Sequence, residues 1–250
     1  MPPLAFVAMA ARFDAGIAPR PEHHHRDVGA GRARAAVFGV SDGLVSNVGL
    51  ILGVVAGDAS AKVVRLAGLA GLIAGAVSMA AGEYNSMQVQ RELFERELDL
   101  ERREIRRNPN VETVELTQIY QARGISADQA REMAPAVMSD PEQALQAHAR
   151  EELGIDPKAL GSPMGAARWS FGGFALGALV PLLPWFFIDH RPAVGLTLAI
   201  ALVASIVIGV VTARFTNRSW RLTILRQATV AAVAVVITFG VCQLAGVNGV

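Results

Sequence analysis

Long apolar segments alternate with one highly charged segment along this chain. Apolar runs close to the length that crosses a hydrocarbon core of about 30 Å lie at residues 35–56, 66–82, 169–188, 193–213 and 228–247. Residues 83–168 contain 16 of the 22 acidic and 11 of the 23 basic side chains. The pattern predicts an all-α membrane protein with five transmembrane helices and a polar helical insert between the second and the third.

The insert is expected to be a small helical domain. Residues 83–107 lack glycine and proline and are mostly strong helix formers, so the second span should continue as one long helix that breaks near Asn108, Pro109 and Asn110. Further helices are predicted at 111–122, 127–138 and 141–153. The chain thus divides into a tail (1–34), spans one and two (35–82), the insert (83–168) and spans three to five (169–250).

The arginines between the spans predict which side of the membrane each loop faces. Five spans place the termini on opposite sides, and arginines in short loops stay on the cytoplasmic side. Before the first span and between the fourth and fifth stand Arg26, Arg32, Arg34, Arg214, Arg218, Arg221 and Arg226. The opposite loops hold Lys62, Arg65 and Arg191. The N-terminus and the insert are therefore expected inside, and the C-terminus outside.

The overall composition supports a membrane protein and excludes several other classes. Charged residues make up 18% of the chain, below the roughly 25% of soluble globular domains, and the mean hydropathy is positive. A net charge of +1 offers no basic surplus to a nucleic acid. The lone Cys242 cannot form an intramolecular disulfide. In the tail, His23, His24 and His25 are interpreted as solvated surface.

Polar residues within the first two spans mark a candidate transport path. Asp42 lies inside the first span, where an acid costs about 2.5 to 3.5 kcal/mol on insertion scales, and Ser46 shares its helical face at i+4. Met79 and Glu83 have the same spacing at the end of the second span. A thioether beside carboxylates suits a borderline divalent transition metal better than Mg²⁺ or Ca²⁺. The combination favours a metal path lined by Asp42, Ser46, Met79 and Glu83.

Glycines at helical spacing predict close packing of the first two spans. Small residues four apart let helix backbones approach in a membrane. The pattern occurs at Gly39, Gly43, Gly49 and Gly53 in the first span and at Gly68, Gly71 and Gly75 in the second. We expect a packed seam between these two spans or between subunits. The last three spans contain no comparable acid and are interpreted as scaffold.

Acidic residues recur at i+3 and i+4 in the insert. Shared helical faces are predicted for Glu97, Glu101 and Glu104 and for Glu112 and Glu115, while Glu151 and Glu152 lie near His148 on the last insert helix. Two antiparallel helices with Glu-x-x-Glu pairs would converge oxygen ligands on divalent ions, and a cation would remove the repulsion between them. The other interpretation is a solvated face balanced by Arg102, Arg103, Arg106 and Arg107, and the sequence leaves both open.

These motifs together resemble the vacuolar iron transporter family, also called the Ccc1 family. The resemblance is carried by Ser41-Asp42-Gly43 in the first span and by Ser78-Met79-Ala80-Ala81-Gly82-Glu83-Tyr84 closing the second, and it extends over residues 34–247. It implies a bacterial-type member without the ferritin-like domain of some relatives. It also implies a homodimer with a path between the subunits, and proton-coupled export of Fe²⁺ across the cytoplasmic (inner) membrane.

The resemblance also implies ligands. Asp42 and Met79 correspond to the family's membrane iron ligands. The acidic ligands of its cytoplasmic metal-binding domain correspond to Glu101, Glu104, Glu112, Glu115 and Glu152. His148, another candidate ligand, stands where some members have methionine, and Gly71 where some have glutamate. No prosthetic group is implied. The substrate is Fe²⁺, with Mn²⁺, Co²⁺ and Zn²⁺ left open because their ligand preferences overlap.

Two other functions stay open beside transport. A carboxylate-rich helical domain would suit a membrane-anchored di-iron oxidase, although the Glu-x-x-His pair of such sites is missing because residue 145 is leucine. A non-transporting, metal-sensing membrane scaffold would bind metal without flux. The expected class is a transporter rather than an enzyme. Its expected partners are membrane lipid, a divalent metal ion, protons and a second copy of the chain.

Overall fold

The computed structural model describes residues 32–188 and 191–244, and helices account for most of them. In chain order, the α-helices are α1 Arg32–Ala56, α2 Ala61–Arg107, α3 Pro109–Ala122, α4 Ala127–Met138, α5 Pro141–Glu151, α6 Pro163–Leu182, α7 Arg191–Thr216 and α8 Trp220–Leu244. A 3-10 turn, Leu183–Phe186, extends α6. No strand occurs in these two ranges. The tail histidines at positions 23 to 25 lie outside them.

Five helices are long and apolar enough to cross a membrane, which confirms the predicted all-α membrane architecture. The candidate spans are Ala33–Ala56, the apolar part of Ala61–Arg107, Pro163–Phe186, Pro192–Thr216 and Trp220–Thr238. We call the end of this bundle at which α2 leaves it the insert-side end. The N-termini of α1, α6 and α8 and the C-terminus of α7 lie there because successive spans run antiparallel.

The fifth span begins earlier than the hydropathy pattern predicts. α8 starts at Trp220 rather than at residue 228, so Arg221 and Arg226 lie on a helix and not in a loop. A hydropathy window penalises arginines, but long basic side chains on the first turns of a span extend toward the headgroups. Similarly, α6 begins at Pro163, so Arg168 also lies on a membrane helix.

One continuous helix joins the membrane bundle to the insert. α2 contains 47 residues and is about 70 Å long at 1.5 Å per residue. The absence of glycine and proline from residues 83–107 allows this length. It ends at Arg107, Asn108 caps it, and Pro109 begins α3 at the predicted break. The insert helices are therefore the second half of α2 together with α3, α4 and α5.

The third span, α6, packs against both of the first two spans, α1 and α2. Carbon atoms built on Gly39 and Gly43 would meet the α6 backbone at Ser170 and Phe174. In the same way, carbon atoms built on Gly173 and Gly177 of α6 would meet the α1 backbone at Ala36 and Val40. The prediction that the α1 glycines face α2 or another subunit is therefore wrong for Gly39 and Gly43. They face α6 because that helix supplies matching small residues, so α6 is part of the packed core.

We expect the Gly43→Ala variant to lose stability, because its new methyl group would overlap the carbonyl group of Phe174. Overpacking of a tight contact costs about 1 to 3 kcal/mol or more. The matched control is Gly172→Ala on α6, where a Cβ meets nothing within 4 Å. Thermal unfolding in detergent micelles should show a lower midpoint for Gly43→Ala only. Equal midpoints for the two variants would contradict the close approach of α1 and α6.

Candidate metal sites

A buried histidine in the insert is surrounded by carboxylates on α2, on α3 and just after the end of α5. His148 on α5 is fully buried, and its Nδ1 lies 3.2 Å from Glu101 Oε1 of α2. The same nitrogen lies 3.8 Å from Glu112 Oε2 of α3 and 3.7 Å from Glu152 Oε2. Possible ligand atoms of Glu101, His148 and Glu152 all lie within 4.8 Å of one another. This spacing allows one divalent ion to bind several of these atoms.

The packing of the insert helices sets this arrangement. An apolar core forms between α2 and α5 from Leu98, Ile105, Ala144, Leu145 and Ala149. Glu101 lies between Leu98 and Ile105 on the buried face of α2, at i+3 and i+4 spacing. His148 likewise lies beside Ala144 and Leu145 on α5. The periodicity that packs the helices therefore also directs both polar groups inward.

Three buried polar atoms of this cluster make no hydrogen bond within the described residues. Both ring nitrogens of His148 and Oε1 of Glu101 are buried without a hydrogen-bond partner there. Buried polar atoms in native proteins are nearly always satisfied, so orphaned ones call for an explanation. A metal ion bound by the imidazole and the carboxylates would satisfy them. We call Glu101, Glu112, His148 and Glu152 the insert cluster.

The electrostatics of the cluster disfavour ionised carboxylates without a cation. The pKa of Glu101 is raised from 4.5 to about 7, first by burial and then by the charges of Glu152, Glu112, Glu104 and Glu115. Burial is also the main cause of the raised pKa of Glu112, and the nearby His148 opposes it. Every acid that the resemblance assigned to the insert therefore lies close enough to act on Glu101.

The solvated-face interpretation is not favoured by the arginines of α2. Arg102 pairs with Asp99 at 2.6 Å. Arg103, Arg106 and Arg107 form no ion pair with any carboxylate in the described ranges. Glu151, which the sequence groups with Glu152, pairs instead with Arg123 at 2.8 Å.

We expect the metal-free protein to lose stability as the pH rises from about 4.5 to about 7, the interval between the usual and the raised pKa of Glu101. The folded state holds this proton more tightly than the unfolded state. The stabilisation is therefore complete at low pH and is lost as the pH rises through the interval. Thermal unfolding midpoints of wild type and Glu101→Gln are measured over this pH range in the presence of chelator. The difference between the two profiles isolates the contribution of Glu101. Parallel pH profiles of the two proteins would contradict the raised pKa.

The membrane path residues lie on adjacent antiparallel helices toward the insert-side end. Ser46 Oγ donates a hydrogen bond to Asp42 Oδ1 at 3.3 Å, so the predicted polar face of α1 exists. Met79 on α2 packs partly against Ala76 and Phe174. At 1.5 Å per residue, Asp42 lies about 12 Å deeper than Arg34 along α1, and Met79 about 6 Å deeper than Glu83 along α2.

Arg34 and Glu83 form an ion pair that the sequence did not reveal. Arg34 Nη2 donates to Glu83 Oε1 at 3.0 Å, with the arginine 72% and the glutamate 16% exposed. The signal was available, because an arginine that starts the first span and an acid that ends the second must lie at the same membrane level. Glu83, the fourth predicted path residue, is therefore paired with a positive charge from the same chain.

Two further polar residues near the path, Gln227 and Asn47, were not among the predicted site residues. Gln227 of α8 donates from Nε2 to Ser41 Oγ at 2.5 Å, next to Asp42. Asn47 is buried and donates to the carbonyl oxygen of Ala178, while its own Oδ1 has no partner among the described residues. A Cβ atom built on Gly71 would lie 3.4 Å from Asn47 Oδ1 and 2.5 Å from Leu50 Cδ2. Leu50 thus occupies the space that a glutamate at position 71 would need.

The sequence was compared with known proteins. The profile of the VIT family matches residues 33–243. A vacuolar iron transporter of Acanthamoeba castellanii is 38% identical over 222 residues, covering 88% of this chain and 81% of the relative. Vacuolar iron transporter 1 of Eucalyptus grandis is 33% identical, with coverage of 84% and 85%. Vacuolar iron transporter 1 of Oryza sativa subsp. japonica is 31% identical, with coverage of 94% and 98%.

Proposed function

The chain belongs to the VIT family, and from this premise we propose that it exports a divalent transition metal, Fe²⁺, from the cytoplasm in exchange for protons. The observation that carries the proposal is the insert cluster, in which a buried imidazole without a hydrogen-bond partner faces three carboxylates. Its member Glu101 lies on the same continuous helix as Met79 and Glu83.

The insert cluster is the capture site in this proposal. Imidazole with carboxylates suits Fe²⁺, Mn²⁺, Co²⁺ and Zn²⁺, whereas Mg²⁺ and Ca²⁺ prefer oxygen ligands alone. Glu104 and Glu115 add negative charge beside Glu101. Capture displaces the Glu101 proton, so metal affinity should fall below about pH 7, where that carboxyl is protonated.

The path across the membrane begins at Glu83. This residue is about 27 Å along α2 from Glu101 at 1.5 Å per residue, so the ion leaves the insert cluster before it reaches the membrane. The carboxylate of Glu83 then receives the ion when Arg34 moves aside. Deeper in the bundle the metal ion loses water ligands, and Asp42 and Met79 replace them. Ser46 lies beside Asp42.

Protons drive the exchange by competing for these acids. A carboxylate that binds a proton cannot bind the metal equally well, so the two ions exclude one another at a shared site. A proton arriving from the far side at Asp42 would therefore release the metal outward. This competition couples the two fluxes without a separate proton site.

A homodimer completes the path in this proposal. Asp42 shares its face of α1 with Phe38, which is 60% exposed, and with the exposed Ser46. On α2, Ile73 and Val77 are 60% and 54% exposed. An acid facing lipid is costly, and a second copy covering these faces would remove Asp42 from lipid. Light scattering of the detergent complex should give the mass of two chains.

The orientation with the insert in the cytoplasm is supported by basic side chains. Arg34, Arg168, Arg214, Arg218 and Arg221 all lie at the insert-side end, by helix direction. The other side has fewer, including Arg65, which donates to the carbonyl oxygen of Trp185. The positive-inside rule then places the insert-side end in the cytoplasm. A bacterial inner membrane follows from the sequence resemblance alone, and the relatives above are named as vacuolar proteins.

Purified protein in proton-loaded vesicles tests the function. We expect Fe²⁺ uptake that depends on the proton gradient, accompanied by proton release, and we would compare it with Mn²⁺, Co²⁺ and Zn²⁺. Metal binding without flux would favour a sensing scaffold, and oxygen-dependent Fe²⁺ oxidation would favour a di-iron oxidase. Either result would overturn the transporter proposal.

We expect the Arg34→Gln variant to reach half-maximal transport at a lower metal concentration. Arg34 competes with the metal for Glu83, and a partly exposed ion pair contributes up to about 1 kcal/mol, or roughly fivefold in affinity. The matched control is Arg91→Gln, which removes an exposed pair with Glu95 on the same helix. The dependence of vesicle uptake on metal concentration is measured for both variants. An unchanged or raised half-maximal concentration for Arg34→Gln would show that the pair does not gate Glu83.

A further inference from the structure

An apolar groove of about 580 Å³ opens on the membrane bundle at its insert-side end. The floor is the first three turns of α1, including Val37 and Val40, and one wall is the last turns of α7, including Val207 and Val211. Trp169 in the first turns of α6 closes the other side and is 56% exposed. The groove therefore begins near the membrane surface and extends into the apolar layer.

The groove is separate from the proposed transport path. Val40 and Asp42 are two residues apart on α1, and at 3.6 residues per turn they point about 200° apart around the helix. A second copy that covers the Asp42 face would leave the groove open. Its ligand is therefore not the transported ion, and the proposed dimer does not fill it.

Two basic residues are immediate neighbours in sequence of residues that line the groove. Arg168 precedes the lining residue Trp169, and Arg214 precedes the lining residue Phe215. Both arginines are exposed, and neither forms an ion pair with a carboxylate in the described ranges. From residue 163 to the end of the sequence, the only acid is Asp189.

We propose that this groove binds an anionic phospholipid, with an acyl chain between α1 and α7 and the phosphate at Arg168 and Arg214. Apolar depth with a basic mouth is what such a lipid needs, and basic pockets between membrane helices hold anionic headgroups. Trp169 lies at the level where aromatic side chains meet the interface. A free phosphate ion would leave the apolar depth unfilled.

Quenching of Trp169 fluorescence tests the proposal in the full-length protein. The protein is reconstituted in phosphatidylcholine vesicles that contain a small fraction of either phosphatidylglycerol or phosphatidylcholine with brominated acyl chains. The Trp169 signal is the difference between wild type and Trp169→Phe. We expect brominated phosphatidylglycerol to quench this signal at a lower mole fraction than brominated phosphatidylcholine.

Charge variants assign the headgroup site. One arginine near the surface contributes about 1 kcal/mol, or roughly fivefold, so the double variant Arg168→Gln, Arg214→Gln should lose about thirtyfold in preference for phosphatidylglycerol. The matched control is Arg103→Gln, Arg106→Gln, which removes two exposed charges from the insert part of α2. That control should keep the preference.

Three results would overturn the proposal. Equal quenching by the two brominated lipids in wild type would show a groove without headgroup selection. Quenching that emerges only after residues 1–31 are removed would show that the tail occupies the groove. Quenching that falls as the protein-to-lipid ratio rises would show a second copy there.

Discussion

Replacing Asp42 with asparagine is expected to abolish proton-driven metal flux. The substitution keeps the shape of the side chain and its contact with Ser46, but it removes the charge that attracts a partly dehydrated cation and the group that exchanges it for a proton. Loss of an outer-shell partner of a metal site already costs about 10- to 100-fold. We therefore expect uptake into proton-loaded vesicles to fall by on the order of a hundredfold or more.

The matched control is Asp58→Asn. Asp58 is an exposed acid in the turn between α1 and α2, at the end of the bundle opposite the insert, with a positive φ of 53° that asparagine also adopts. It should leave flux unchanged. Metal binding by the insert cluster should be unaffected in both variants, which separates capture from translocation. Wild-type flux in Asp42→Asn would exclude this carboxylate as the shared site for metal and proton.

The parts of the fold that depend on local pattern could be predicted from the sequence. The length of α2 follows from the lack of glycine and proline between residues 83 and 107, and its end follows from Pro109. The pairing of Glu101 with Glu104 on α2 and of Glu112 with Glu115 on α3 is similar in origin, because i+3 spacing within one helix places both residues on the same face. Such features need no knowledge of which helices become neighbours.

The features that depend on the choice of neighbouring helix were not predictable in the same way. Gly39 and Gly43 showed that α1 packs closely, but not that α6 is the partner. The Arg34 pair with Glu83 depends on the relative membrane depth of two helices. The complete burial of His148 depends on how α5 folds back onto α2. Periodicity along one helix contains none of this information.

Replacing Glu101 with glutamine should change metal binding and metal-free stability in opposite directions. The carboxylate lies 3.2 Å from His148 Nδ1 and is a central ligand of the proposed capture site. Without it, Fe²⁺ or Mn²⁺ affinity of the insert should fall by on the order of a hundredfold or more, because loss of even an outer-shell partner of a metal costs about 10- to 100-fold. Without metal, the same change removes a buried charge that its neighbours repel.

The metal-free variant should therefore unfold at a higher temperature than wild type above about pH 7, where the wild-type carboxyl is ionised. Calorimetric metal titration and thermal unfolding with chelator measure the two effects in one preparation. Glu132→Gln, an exposed acid on α4, is the control and should change neither. A group that only supports the fold would lose stability with or without metal. That result, with unchanged metal affinity, would remove Glu101 from the capture site.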